Sequence, residues 1–147
     1  MTIRVVSASR VIAAPPAPIF DLLADPSKHP LLDGSGSVGA LRSTPERLTL
    51  GSRFSMSMRL LGLPYTTKNI VSEFAENRVI AWHHVGRFVW RYELEVVDGG
   101  TEVTESFDYS PLWGISLVPL GIPEKNRASM ELTLERLDQL VTTGSVG

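Results

Sequence analysis

Residues 52–60, SRFSMSMRL, alternate along the chain. Phe54, Met56, Met58 and Leu60 fall on one side, and Ser55, Ser57 and Arg59 on the other. Successive side chains of a strand point to opposite faces, so this stretch predicts a half-buried strand. The β-branched opening RVVSASRVIA, within 3–13, predicts another. YTTKNIVSEF (65–74), RVIAWHH (78–84), FVWRYELEVV (88–97) and TEVTESFDYS (101–110) predict four more. Their connections GLP, EN, VGR and DGG are short, which implies antiparallel neighbours in a meander. A weaker strand falls near 37–43, behind the glycines and serines of 34–39. Ahead of it, APPAPIFDLLADPSKHP predicts a helix opened by Pro16 or Pro18 and ended by Pro26. Ile19, Phe20, Leu22 and Leu23 supply its apolar side, and a second helical turn carries Lys28 to Leu32. From Pro123 the period becomes helical. Met130, Leu134, Leu137 and Leu140 or Val141 form one stripe, with charges on the other side.

The order of elements predicts an α+β fold. A strongly curved antiparallel sheet of about seven strands wraps around the long C-terminal helix, with two short helices after the first strand. The last helix is the only element long enough to cover the apolar face of the sheet. Gripping a single helix leaves a space between helix and sheet. A chain of 147 residues suits one domain, 1–147, with a core that needs no staples.

Composition removes several classes of function. There are no cysteines, so disulfides, thiolate metal sites and cysteine nucleophiles are out. A net charge of −2 gives no basic field for nucleic acid. The opening MTIRVVSASRVIAAPP lacks the basic and apolar regions of a signal peptide, and no apolar run reaches the ~18–20 residues of a membrane span. The expected location is cytoplasmic. There is no dinucleotide fingerprint, P-loop or nucleophile elbow. His29, His83 and His84 lack metalloprotease spacing, so no metal and no cofactor is expected.

Four passages resemble the helix-grip (SRPBCC, START-like) superfamily, which includes START lipid-transfer domains, the major birch-pollen allergen and polyketide cyclase/dehydrase-like proteins. SASRVIAAPPAPIFDLLADPSKHP is similar to its opening strand, alanine–proline turn and first helix. IVSEFAENRVIAW resembles the mid-sheet hairpin, GGTEVTESFDYSP the last strand and EKNRASMELTLERLDQLV the gripping helix. The resemblance implies an internal cavity for a lipid-like or aromatic ligand. It carries no universal catalytic motif.

The inward face is read from the last hairpin. A turn at Asp98–Gly99 sets Leu94 opposite Val103, Tyr92 opposite Glu105 and Trp90 opposite Phe107. A turn at Gly99–Gly100 shifts the pairing by two and keeps the same face. Phe88, Trp90, Tyr92, Leu94, Val103, Phe107 and Tyr109 then share one side, and Glu105 stands among them. A carboxylate facing a low-dielectric interior is costly unless it is hydrogen-bonded or neutralised. Glu105 is read as a ligand anchor or acid/base group, or as a carboxyl satisfied by Tyr92 near a wet mouth.

The histidine pair depends on loop length. A two-residue turn at VGR puts Val79, Ala81 and His83 inward. A three-residue loop containing Gly86 puts Trp82 and His84 inward instead. Resemblance to the pollen-allergen pattern favours the first, although that choice exposes Trp82. Phe54, Met56 and Met58 form the other wall, Met130 completes it from the helix, and Tyr65, Thr67, Asn69 and Val71 face inward in the matching register.

Three functions follow as expectations. The first is binding of a lipid-like or polycyclic molecule for carriage, sensing or shielding. The second is a polyketide cyclase/dehydratase-type enzyme with Glu105, His83 and Tyr92 as catalytic candidates. The third is a protein-interaction module built on SPLWGISLVPLGIP. There the apolar 111–122 either caps the cavity mouth or forms a patch for a homodimer partner or a membrane surface.

Overall fold

A computed structural model of the chain describes residues 4–33, 38–41, 47–60, 63–83, 88–110, 119 and 121–144, of which 38–41 and 58–60 as backbone alone. The alternation and the helical stripe both appear as expected. Strand β1 (Val5–Ile12) leads to helix α1 (Pro16–Leu23), a 3-10 turn (Pro26–Lys28) and helix α2 (His29–Leu32). Strands β2 (Val38–Leu41), β3 (Arg53–Leu60), β4 (Leu63–Ala75), β5 (Val79–His83), β6 (Val89–Val97) and β7 (Gly100–Asp108) follow. Helix α3 (Ile122–Thr143) closes the order. The strands form one antiparallel sheet in the order β1-β7-β6-β5-β4-β3-β2. The meander runs from β2 to β7, and β1 returns to pair with β7.

Pro16 occupies the first position of α1, where its missing N–H leaves no helix bond unmade. Ile19, Phe20 and Leu23 are its buried side. The Asp25 carboxylate then accepts from the Ser27 N–H at 3.0 Å and the Ser27 hydroxyl at 2.6 Å, capping the 3-10 turn that delivers α2. Helix α3 buries Met130, Thr133, Leu134 and Leu137 against the concave side of the sheet, chiefly on β1 and β7. Met130, Leu134 and Leu137 each contribute roughly 1.5–3 kcal/mol by leaving water. Arg10 of β1 pairs with Asp138 of α3 at 2.7 Å across this seam, a partly exposed contact worth little beyond orientation.

One irregularity decides the middle of the sheet. The register of β4 against β5 shifts between Val71 and Glu73. A bulge lets Val71 and Phe74 both face inward although their positions are three apart, an odd spacing. Phe74 meets Phe20 of α1 edge-on, with ring centroids 5.5 Å apart. Glu73 goes to the outer face, where it pairs with Arg91 at 2.9 Å. Arg91 and Glu73 both stand opposite Ala81, so their ion pair spans it and leaves that outward alanine 1% exposed.

Candidate functional site

The β6–β7 hairpin turns at Asp98–Gly99, and its register sets Leu94 against Val103, Tyr92 against Glu105 and Trp90 against Phe107, as the sequence predicts. Rows of inward residues cross the sheet. One runs Ala8, Glu105, Tyr92, Ile80, Phe74, and the next runs Val6, Phe107, Trp90, Trp82, Val71. The first row carries the chemistry and the second is almost wholly apolar.

The histidine expectation is overturned here. Five residues, 84–88, separate the last paired residues His83 and Val89, and Trp82 stands opposite Trp90. An odd loop puts Trp82 inward, so Val79, Ala81 and His83 lie on the outer face. The reason is tryptophan burial. Trp82 fills an aromatic corner with Phe54 at 5.6 Å and Tyr92 at 5.8 Å, which the opposite register would empty. His83 is therefore withdrawn as an inward ligand-binding or catalytic residue. His84 lies outside the described residues.

Among the described residues the inward histidine is His29, which no sequence pattern singled out. It is buried, stacks on Trp82 at 5.1 Å and 21°, and meets Phe54 edge-on at 5.7 Å. Its Nε2 lies 2.9 Å from the Leu23 carbonyl oxygen. A carbonyl can only accept, so Nε2 carries the proton and Nδ1 is left with a lone pair. Burial pushes its pKa down, against smaller upward pulls from that hydrogen bond and from Asp25 and Asp33. His29 is thus a neutral Nε2–H imidazole. Nitrogen chemical shifts should show that tautomer with a titration below 6.5, and an imidazolium at neutral pH would contradict the placement.

Glu105 is 4% exposed on the inward face, and its Oε1 has no hydrogen-bond partner among the described residues. Burial is the main cause that raises its pKa to about 8. The approach of the Tyr92 hydroxyl as a donor works against the rise, and the like charge of Asp33 adds to it. At neutral pH Glu105 is mainly a carboxylic acid. Burial, then the neighbouring Glu105, push the Tyr92 phenol well above its ordinary range, so it stays protonated. Asp33 follows α2, and its carbonyl accepts from Nη1 of Arg136 on α3.

Two apolar groups flank this acid. On one side Tyr92, Trp82, Phe54 and Met56 join the main core. On the other Val6, Phe88, Phe107 and Met130 pack together, with Trp90 and Tyr109 half-buried against them. Trp90 lies 4.7 Å from Phe107, and Tyr109 stacks on Phe107 at 5.7 Å. Ala8 of β1, opposite Glu105, touches both groups.

Asn69 faces inward opposite Phe54 and is buried. Its amide nitrogen already donates to the Phe54 carbonyl at 3.4 Å and to Thr67 Oγ1 at 3.2 Å, so it serves the strand pair. The register sets Met58 opposite Tyr65; the Met58 side chain lies outside the described residues. Most of the 111–122 segment lies outside them as well. A groove of about 540 Å³ between β1 and α3 is walled by Arg10, Glu131 and Glu135. Ala8 and Leu134 also line it, so its floor adjoins the apolar interior while its rim is charged. Among the described residues no group of three acids and histidines is placed to hold a metal, and no helix is long and apolar enough to cross a membrane.

Comparison with known proteins follows the same lines. Residues 4–142 match the model of the family described as polyketide cyclase/dehydrase and lipid transport. An uncharacterised protein of Mycobacterium tuberculosis is 37% identical over 145 residues, covering 95% of this chain and 65% of that protein. The chain thus spans just under two thirds of the length of the curated relatives it matches. The KanY protein solution structure superposes with a TM-score of 0.78 at 15% identity, covering 96% of this chain and 99% of that one. A crystal structure of a Nitrosomonas europaea protein gives 0.72 at 17% identity, with 95% of each chain covered. These two likenesses show the fold.

Proposed function

The chain belongs to the polyketide cyclase/dehydrase and lipid-transport family, and on that premise we propose that it binds an apolar small molecule on the concave side of its sheet. The observation that carries this reading is the unpartnered Oε1 of Glu105, buried between two aromatic groups. A protein interior normally satisfies such an atom, and one left open beside apolar walls suits a ligand's polar end. The ligand is lipid-like or polycyclic, and the chain carries, senses or shields it, acting as one domain. Affinity comes mainly from apolar area leaving water, at ~25 cal/mol per Å². Tyr92 and Glu105 orient the ligand, and Phe54, Met56, Trp90, Phe107 and Met130 supply walls.

The neutral fluorescent probe N-phenylnaphthylamine should bind saturably, one per chain. Ala8→Phe, which places a ring beside Glu105, should abolish that binding while the fold persists by circular dichroism. Absence of saturable binding, or binding indifferent to Ala8→Phe, would sink the reading.

A second reading is acid–base catalysis on a polyketide-like substrate. The observation favouring it is a carboxyl with a pKa of about 8 beside a phenol, a pair able to give and take a proton near neutrality. Turnover of a found substrate that survives Glu105→Gln unchanged would end it.

A further inference from the structure

The groups around Glu105 restrict what the ligand's polar end can be. From β1 it faces Ala8, and from β6 Tyr92, with Trp90 and Leu94 to either side. Helix α3 turns Met130, Thr133 and Leu134 to the buried interior. The charge that acts on Glu105 is that of Asp33, and it has the same sign. Two guanidinium groups on elements packed against it are engaged elsewhere: Arg10 of β1 with Asp138, and Arg136 of α3 with the Asp33 carbonyl. His29 is neutral and donates to Leu23. Among the described residues, an anionic head group would therefore meet two acids and no unengaged cation in a dry setting, which is costly.

A neutral acceptor meets the opposite situation. The buried Glu105 acid has a proton to donate, and the Tyr92 hydroxyl, which donates to the carboxyl, holds it in place. Among the described residues Oε1 has no hydrogen-bond partner. A ligand carbonyl placed there would be satisfied together with the acid. A ligand without one would leave the acid unsatisfied, which is the stronger basis for selection.

We propose that the ligand is a neutral carbonyl compound, a ketone, quinone or ester on an apolar frame, received by Glu105 with Tyr92, and that carboxylate and phosphate lipids are rejected. This rests on the binding reading above.

Three probes with one frame test it: methyl naphthyl ketone, ethylnaphthalene and naphthoate. Binding is followed by the indole N–H signals of Trp82 and Trp90. The ketone should bind roughly tenfold more tightly than ethylnaphthalene and at least roughly tenfold more tightly than naphthoate. Glu105→Leu should erase the ketone's advantage over ethylnaphthalene. Glu105→Gln, which keeps a donor, should preserve it and guards against a Leu variant that fails to fold. Naphthoate binding as well as the ketone, or a ketone advantage that survives Glu105→Leu, overturns the inference and leaves apolar binding standing. Failure of all three probes to bind overturns both.

Discussion

Glu105→Gln should be more stable than the wild type above pH 8, by roughly 5 kcal/mol, and close to it below pH 4.5. The sign follows from proton counting. In the unfolded chain Glu105 ionises near 4.5, whereas in the folded protein it holds its proton to about 8. Between those values the folded state binds more protons than the unfolded one, so rising pH withdraws stability across that window and leaves it flat outside. Glutamine cannot ionise, so its denaturation free energy lacks that slope. His29 acts in the opposite sense. Its lowered pKa means the unfolded chain takes up a proton first as pH falls below 6.5, and stability drops with it. His29 is common to both proteins, so its effect cancels in the difference. Urea denaturation across the pH range measures that difference. A gap under ~1 kcal/mol at high pH would mean that Glu105 is solvated, against its burial.

Gly100→Ala should cost about 4 kcal/mol, while Gly99→Ala next to it should cost about 1 kcal/mol. Both glycines have positive φ, +89° at Gly99 and +149° at Gly100. They differ in their surroundings. A Cβ on Gly99 meets nothing within 4 Å, so alanine brings backbone strain alone. A Cβ on Gly100 would sit 2.0 Å from the Ile12 carbonyl oxygen and 2.9 Å from its carbon. Those atoms belong to backbone held in place by the β1–β7 ladder and by Thr101 Oγ1, which donates to the Ala14 carbonyl at 2.8 Å. Relief requires opening the seam where β7 begins against the end of β1. Urea midpoints of the two variants, compared with the wild type, check the contrast. Equal losses would show that the clash is relieved by movement that leaves the ladder intact.

Much of the sheet was legible because period-two patterning states a face and a short turn states a register. The two agree on β6 and β7, so Tyr92 opposite Glu105 could be read before any coordinates. Asn69 and Val71 followed by the same logic. The β5–β6 hairpin was different. Val79, Ile80 and Ala81 are all buried, so alternation gives no signal there, and the parity rests on a loop whose length VGR does not fix. The burial demand of Trp82 was the better guide. His29 was missed for another reason. It sits between a 3-10 turn and a four-residue helix, where no period exists, and a carbonyl six residues back orients it. The bulge after Val71 leaves no mark in the sequence either, because Ser72 is acceptable on either face. Asp33, which shapes the electrostatics of Glu105, reaches it only through tertiary packing.

We propose that the concave interior takes an apolar ligand whose polar end meets Glu105. Native mass spectrometry of the protein purified from its own cells, followed by denaturing extraction, tests this most directly. The expected result is a co-purifying apolar molecule that is neutral and bears a carbonyl group. A protein that emerges empty, and stays empty after challenge with a broad set of lipids and polycyclic aromatics, would contradict it.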